Sequence, residues 1–252
     1  MSDDMFDGEY PYTGIGEYAE YRQPRLSPSE TLKRGREFLA LMDGRRSIRQ
    51  FSDEPVSREA IELAIAAAST APSGAHLQPW KFIVTQDAAV KRAIRQAAEQ
   101  EEKVNYVDGR MPEGWQSDIA RLGTGWRKPY LETAPWIVVL FEERYRELGD
   151  GERGKNYYVK ESVGIAAGMF ITALHTMGLV TLTHTPSPMA FLTALLGRPR
   201  NERPFILFPI GYPAKDAVVP VLRRKSLAEV MVDVNAANEP VSNPERSTDR
   251  VD

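Results

Sequence analysis

The chain has 252 residues, enough to bury one large core, and its 32 basic residues nearly balance 35 acidic ones. The basic residues are dispersed, so nucleic acid is not an expected partner. Cysteine is absent, which excludes disulfides, thiolate metal sites and cysteine nucleophiles, and redox chemistry therefore needs a bound cofactor. The acidic start MSDDMFDGEY lacks the basic and apolar regions of a signal peptide, so we expect a cytoplasmic protein.

The N-terminal region, residues 1–44, is rich in tyrosine, proline and charge, and we interpret it as an arm that wraps a neighbouring surface. One short helix is expected within it, around residues 29–42. Ser57 precedes a helical pattern that runs to about Ser69, and its hydroxyl is suited to capping that helix. The β-prone segment at 81–85 then predicts a strand.

A second core helix is predicted to begin after Asp87, with Val90, Ile94 and Ala97 on one face, and to continue through the charged residues 99–106. Glycines and a proline follow among apolar side chains at 107–126, a pattern typical of a mobile cover over a site. We therefore predict a lid at about 99–130.

The second half of the chain contains short apolar runs at 136–141 and 205–212 that predict buried strands. Residues 162–182 carry no Asp, Glu, Lys or Arg, a length that approaches a membrane span. Gly178 interrupts this stretch before the β-prone LVTL, which favours a buried helix followed by a buried strand. Alternating helices and buried strands indicate an α/β sandwich.

Two short segments on either side of the first predicted core helix carry ligand-binding chemistry. Arg45, Arg46 and Arg49 offer planar guanidinium groups that suit a phosphate, although an exposed turn with surface ion pairs is the more ordinary explanation of such a cluster taken alone. In the segment PSGAH, Gly74 would let the backbone approach a flat ligand, and an ordinary turn is the alternative. A Ser–His hydrolase pair is disfavoured because no nucleophile-elbow pattern is present.

Glu102, Tyr106 and Lys128 form a third candidate set. Glu102 and Tyr106 share a helix face if the helix extends that far. A carboxylate, a phenol and an ammonium at one site suit the zwitterionic end of an amino acid, whereas solvated helix charges are the ordinary explanation. The three histidines are spaced in a way that indicates no metal site, and we expect no metal.

The runs RRSIRQF, APSGAHLQPWKF, TLTHTP and Arg223-Arg224-Lys225 resemble, in order and spacing, the iodotyrosine deiodinase branch of the flavin-dependent nitroreductase superfamily. The resemblance implies a nitroreductase-like α/β fold (an α+β sandwich) with a central mixed sheet flanked by helices. It also implies an arm-exchanged homodimer with two FMN sites at the subunit interface. The expected organisation is one domain over 1–252, with the arm at 1–44, the flavin-binding core at 45–232 and a flexible tail at 233–252.

The resemblance further assigns site residues. FMN would be held by Arg45, Arg46, Ser47, Arg49, Pro72, Ser73, Gly74, Thr183, His184, Thr185 and Arg224. The Thr185 hydroxyl would hydrogen-bond flavin N5 and favour single-electron steps. The backbone N–H of Ala75 would face the phenolate oxygen of the substrate. Glu102, Tyr106 and Lys128 would hold the substrate zwitterion.

The implied activity is reductive dehalogenation of a halotyrosine such as 3-iodotyrosine, with NAD(P)H as the ultimate electron source, directly or through a flavin-reducing partner protein. No membrane partner is expected. Three alternatives stay open: a broad nitroreductase or quinone reductase, a non-catalytic flavin or aromatic amino acid binding protein, and a flavin-cleaving enzyme. Two departures from the family pattern fall in the lid, namely a one-residue length change between Tyr106 and Trp115, and Pro129 directly after Lys128.

Overall fold

A computed structural model of the chain describes residues 21–234, divided between Asp43 and Gly44 into two compact units. The first unit contains helix α1 (Pro28–Asp43), which confirms the helix predicted there. The side chains of Leu32, Phe38 and Leu39 in α1 are each more than half exposed. The remainder of the predicted arm, residues 1–20, and most of the predicted tail, residues 235–252, lie outside the described residues.

The second unit alternates helices and strands. Its helices are α2 (Arg58–Ala68), α3 (Ala88–Tyr106), α4 (Glu113–Ala120), α5 (Tyr130–Thr133), α6 (Val159–Thr176), α7 (Phe191–Leu195) and α8 (Leu227–Val230). Its strands are β1 (Trp80–Thr85), β2 (Trp136–Glu143), β3 (Tyr145–Gly149), β4 (Glu152–Lys155), β5 (Val180–Thr181) and β6 (Glu202–Gly211). The three strands predicted at 81–85, 136–141 and 205–212 are confirmed as β1, β2 and β6.

The central sheet has the strand order β1-β2-β6-β5, and its named strands pair antiparallel. Its parallel component is an isolated bridge between Ser47 and Thr181. β1 and β5 form opposite edges of this sheet. The hairpin β3–β4, which the sequence did not predict, forms a separate two-stranded sheet.

Strand β2 is buried on both faces, and its side chains alternate between two cores. Val138 and Leu140 belong to the core that includes α2 and α6, whereas Val139 and Phe141 belong to the core that includes α3 and α7. Helices therefore cover both faces of the sheet, and the predicted α/β sandwich is confirmed.

Helix α3 extends the full predicted length and buries a stripe that leads to the candidate site. Its N-terminus is capped by Asp87, whose carboxylate accepts from the backbone N–H of Val90 at 2.8 Å. The buried stripe consists of Lys91, Ile94, Ala98, Glu102 and Asn105. Ala98 replaces the predicted Ala97, because the inward face must continue along the nineteen-residue helix to Glu102 and Asn105 rather than end after the first turns.

The uncharged stretch forms the buried helix α6 and the short strand β5, as predicted, and Gly178 between them adopts a φ of +76°. None of the helices between residues 21 and 234 combines the length and the apolar character that a bilayer crossing requires. The segment predicted as a cover contains helix α4, and Pro129 precedes the short helix α5.

Candidate functional site

The arginine cluster assembles from distant parts of the chain. Arg224 Nη2 and Arg46 Nη1 both donate to the carbonyl oxygen of Arg45, at 2.9 and 3.0 Å. Burial, followed by repulsion from Arg224 and Arg46, lowers the pKa of Arg45. A doubly charged phosphate would offset this repulsion and accept the guanidinium donors, so the cluster fits a phosphorylated ligand.

The chain between the arginines is fixed to the sheet edge. Ser47 forms the parallel bridge to Thr181, and the backbone N–H of Ile48 donates to the Thr181 carbonyl at 3.2 Å. Arg49 follows on the same segment, and its side chain lines a cavity of about 210 Å³. The arginines are thereby held beside the segment that leaves β5.

That cavity brings the predicted zwitterion-binding residues together, and we call Glu102, Tyr106 and Lys128 the clamp. Lys128 Nζ lies 3.7 Å from Glu102 Oε2 and 5.4 Å from the centroid of the Tyr106 ring. Lys128 is 3 % exposed and Glu102 is 7 % exposed, so neither is the solvated surface charge that the ordinary explanation required.

Burial dominates the electrostatics of the clamp. It raises the pKa of Glu102, an effect that the nearby Lys128 ammonium opposes. It lowers the pKa of Lys128, which Glu102 opposes and Arg49 reinforces. Burial also raises the pKa of the Tyr106 phenol. A ligand that carries both an ammonium and a carboxylate would give each buried charge an additional partner of opposite sign.

A carboxylate of α3 fixes the backbone of Lys128. Glu99 Oε1 accepts from the backbone N–H of Lys128 at 2.6 Å, and Arg95 Nε donates to the same oxygen at 2.8 Å. Pro129, which departs from the family pattern, has no N–H of its own and leads directly into α5. The proline thus starts a helix at the base of the lid rather than breaking one.

The segment Thr183-His184-Thr185 leaves β5 with alternating side chains: Thr183 and Thr185 are exposed, whereas His184 is buried. The backbone of His184 pairs with Leu207 in both directions, at 2.8 and 3.0 Å. Its Nδ1 lies 2.9 Å from Tyr130 Oη. Burial, reinforced by Lys128 and Arg49, lowers the pKa of His184 to about 3, so the imidazole is neutral at physiological pH.

Two buried polar atoms at this site have no hydrogen-bond partner within residues 21–234. They are Arg49 Nε and His184 Nε2, and both residues line the clamp cavity. Buried polar groups are normally paired, so these atoms indicate that a polar ligand completes the site. The nitrogen and oxygen atoms of a flavin ring are suitable partners, and the residues present therefore fit FMN.

The turn Gly74–His76 lies close to the start of α6. The backbone N–H of Gly74 faces Ser162 Oγ at 3.4 Å, and Ala75 is exposed with a φ of +50°. A Cβ at position 74 would lie 2.6 Å from the carbonyl oxygen of Tyr157, so only glycine fits the observed backbone.

We expect Gly74→Ala to destabilise the protein by about 1–3 kcal/mol, because the clash is with backbone and cannot be relieved by a side-chain rotation. Thermal unfolding measures the effect. Gly114→Ala, where an added Cβ has nothing within 4 Å, is the matched control and should leave the midpoint unchanged or higher. Equal midpoints for the two variants would contradict the steric argument.

Within one chain, the turn Gly74–His76 does not line the clamp cavity. The turn precedes β1 at one edge of the sheet, whereas Thr183 and Thr185 follow β5 at the opposite edge. Three interstrand spacings separate these edges, about 14 Å. A second cavity, of about 340 Å³, is lined by Arg45, Arg46 and apolar side chains from α6 and the segment after β6, and it too lies apart from the turn.

The sequence missed several residues that shape the site, namely Glu99, Asn105, Arg110, Thr124 and Tyr130. Asn105 was accessible to pattern analysis, because it lies three residues after Glu102 and shares its helix face. Glu99 and Arg110 bind backbone groups, and Tyr130 contacts His184 across a large sequence separation. Thr124 accepts from Lys128 Nζ at 3.2 Å within a non-helical segment, so it too leaves no periodic signal.

Fold and site together define an α/β protein with an arginine-rich site suited to a phosphate, beside a buried clamp that contains an acidic and a basic side chain. The model of the Nitroreductase family matches residues 42–212. Iodotyrosine deiodinase from Haliscomenobacter hydrossis is 52 % identical over 85 % of this chain and 96 % of its own length. Iodotyrosine deiodinase 1 from Homo sapiens is 42 % identical over 86 % of this chain and 75 % of its own length.

A crystal structure of oxidized iodotyrosine deiodinase bound to FMN and 3-iodo-L-tyrosine superposes with a TM-score of 0.66 and 30 % identity, covering 79 % of this chain and 99 % of that chain. The chain therefore belongs to the nitroreductase family, in its iodotyrosine deiodinase branch. The family resemblance predicted from the sequence is confirmed.

Proposed function

We propose that the protein is an FMN-dependent oxidoreductase that converts 3-iodotyrosine and related halotyrosines to tyrosine and halide. The observation that carries this proposal is the buried clamp of Glu102, Tyr106 and Lys128 in one cavity beside the Thr183–Thr185 segment. It agrees with the ligands named for the superposed deiodinase structure. In the net reaction the carbon–iodine bond is replaced by carbon–hydrogen, two electrons and one proton are consumed, and iodide leaves.

The clamp selects an amino acid by its charged end. Glu102 accepts from the substrate α-ammonium, while Lys128 and the Tyr106 hydroxyl donate to the carboxylate. The direct Lys128–Glu102 contact, at 3.7 Å, is long for a charge-assisted hydrogen bond. Insertion of the zwitterion between the two side chains therefore breaks only a weak contact. The halogenated ring then extends from the clamp toward Thr185.

FMN, when bound, supplies the electrons for carbon–halogen cleavage. The residues proposed to hold its phosphate and ribityl groups are Arg45, Arg46, Ser47, Arg49 and Arg224. Arg46 and Arg224 converge on the Arg45 carbonyl, Ser47 is fixed to β5, and Arg49 lines the clamp cavity. Thr183, His184 and Thr185 would lie beside the ring system. The exposed Thr185 hydroxyl would donate to flavin N5, and a donor there would favour single-electron over two-electron chemistry.

Pro72, Ser73, Gly74 and the Ala75 N–H serve the flavin and phenolate of a second copy of the chain. The opposite-edge placement of β1 and β5 supports this assignment, because it separates the turn from Thr185 within one chain. Exposed apolar side chains in α1 and near the C-terminus, such as Phe38 and Val221, give an exchanged arm a surface to bury. We therefore propose a homodimer with two shared sites.

Ligand affinity should depend on pH in a way set by the clamp. Glu102 must be ionised to accept the ammonium, so affinity rises with pH through a pKa above the ordinary 4.5. Lys128 must be protonated, so affinity falls as pH rises through a pKa below the ordinary 10.5. Fluorescence titration of the FMN-bound protein across pH measures both the rise in affinity at acid pH and its fall at alkaline pH.

Glu102→Gln is the control for this profile, because the glutamine does not titrate. The ratio of wild-type to variant affinity at each pH cancels ionisation of the ligand itself. We expect that ratio to increase with pH on the acid side, and a ratio independent of pH would show that Glu102 does not contact the ammonium.

Turnover with dithionite as reductant tests the proposed function. Dithionite replaces the physiological donor, for which we propose NAD(P)H acting through a flavin-reducing partner protein. Release of tyrosine from 3-iodotyrosine is the expected result. Rapid reduction of a nitroaromatic without tyrosine release would instead identify a nitroreductase, and unreacted bound ligand after flavin reduction would identify a binding protein.

A further inference from the structure

The carbonyl oxygen of Ser187 joins the clamp helix to the loop that carries Thr185. Asn105 Nδ2 donates to this oxygen at 2.9 Å, and Arg110 Nη2 donates to it at 2.6 Å. Only Pro186, which is buried and has a fixed φ, separates Ser187 from Thr185. A constraint on the Ser187 carbonyl is therefore also a constraint on the Thr185 backbone.

Asn105 belongs to the same buried face of α3 as Glu102 and directly precedes Tyr106. Its side chain uses both ends of the amide, since Oδ1 accepts from Arg110 Nε at 2.6 Å while Nδ2 binds Ser187. The two donors on Ser187 thus also bind each other, and neither can move without disturbing the other.

Arg110, in the segment between α3 and α4, contacts both α3 and Ser187. Its Nη2 also donates to the carbonyl of Glu101 at 3.1 Å and to the Glu101 carboxylate at 2.9 Å. Because Arg110 lies just beyond the end of α3, a displacement of the lid would break its contacts with α3 and with Ser187 together.

We propose that Asn105 and Arg110 are positioning residues that hold Thr185 in register with the clamp. The proposal rests on the proposed function, in which Thr185 contacts the flavin and the clamp contacts the substrate. Both donors already reach Ser187 in the structure, so a substrate that fixes the lid stabilises this arrangement and the position of Thr185 that goes with it. A phenol that lacks the ammonium and the carboxylate does not bind the clamp residues, so it does not stabilise this arrangement of Asn105, Arg110 and Ser187.

Two variants test the proposal with different risks to folding. Arg110→Gln alters a partly exposed side chain, and Asn105→Asp keeps the size of a buried one while removing the donor to Ser187. Each should lower kcat for deiodination about tenfold, the usual effect of losing one charge-assisted or buried hydrogen bond, with unchanged Kd for FMN. Arg121→Gln is the matched control, since that arginine lies in the same lid but donates to Asp118.

A double-mutant cycle separates positioning from general damage. In a Thr185→Ala background Arg110→Gln should have no further effect on kcat, because its influence passes through Thr185. Additive losses, an unchanged kcat in the single variants, or loss of FMN would overturn the proposal. Absence of deiodination by the wild-type protein would instead refute the proposed function, so the two failures are distinguishable.

Discussion

Replacing Thr185 by alanine is expected to lower the rate of 3-iodotyrosine deiodination by on the order of 10²-fold, the usual effect of losing one donor at a reacting centre. The Thr185 side chain is exposed four residues after the end of β5, where the backbone is fixed through His184 to Leu207. Its hydroxyl can therefore be lost without moving the chain that presents it. Steady-state assays with dithionite measure the change.

Selectivity distinguishes this role from a structural one. Thr185→Ala should retain FMN and keep its activity toward a nitroaromatic, because two-electron reduction does not need the N5 donor. Thr185→Ser restores a hydroxyl at the same position and should recover most of the deiodination rate. Parallel losses of both activities in Thr185→Ala would remove Thr185 from its proposed role.

Replacing Lys128 by alanine should weaken binding of 3-iodotyrosine by about 1.5–3 kcal/mol, the contribution of one charge-assisted contact. Lys128 is almost fully buried, so no solvent competes for the substrate carboxylate in the intact clamp. Its removal also leaves the buried Glu102 carboxylate without its cationic neighbour. Titration by flavin fluorescence gives the dissociation constant.

FMN occupancy is the internal control for that variant, since we propose that the arginine cluster, and not the clamp, holds the flavin phosphate. Lys103→Ala is the external control, because Lys103 lies one residue from Glu102 but is exposed to solvent. A loss of FMN in Lys128→Ala would show that the lysine belongs to the cofactor site.

The parts of the fold that follow from local chemistry were predictable from the sequence. The caps at Ser57 and Asp87 accept from Ala60 and Val90 as expected of N-cap residues. The apolar runs of β2 and β6 were short and rich in β-branched and aromatic residues, which favours buried strands over buried helices. The hairpin β3–β4 was missed because its residues are largely exposed and charged, and only the turn glycines Gly149 and Gly151 distinguish it from a loop.

The clamp was predictable only through the family resemblance, because helix spacing relates Glu102 to Tyr106 but not to Lys128. The contacts that orient the clamp were not predictable at all. Glu99 binds a backbone N–H, and Asn105 binds a carbonyl 82 residues further along the chain. Such contacts depend on the tertiary path of the backbone, which no local pattern specifies.

The most direct test of the account compares two ligands of the FMN-bound protein, 3-iodotyrosine and 2-iodophenol, by quenching of flavin fluorescence, followed by dithionite reduction and assay for the dehalogenated product. The clamp predicts that 3-iodotyrosine binds on the order of 10²-fold more tightly or better, because the phenol loses the charge-assisted contacts of Glu102, Lys128 and Tyr106, and that it is converted to tyrosine. Equal affinity for the two ligands, or reduction of the flavin without release of tyrosine, would contradict it.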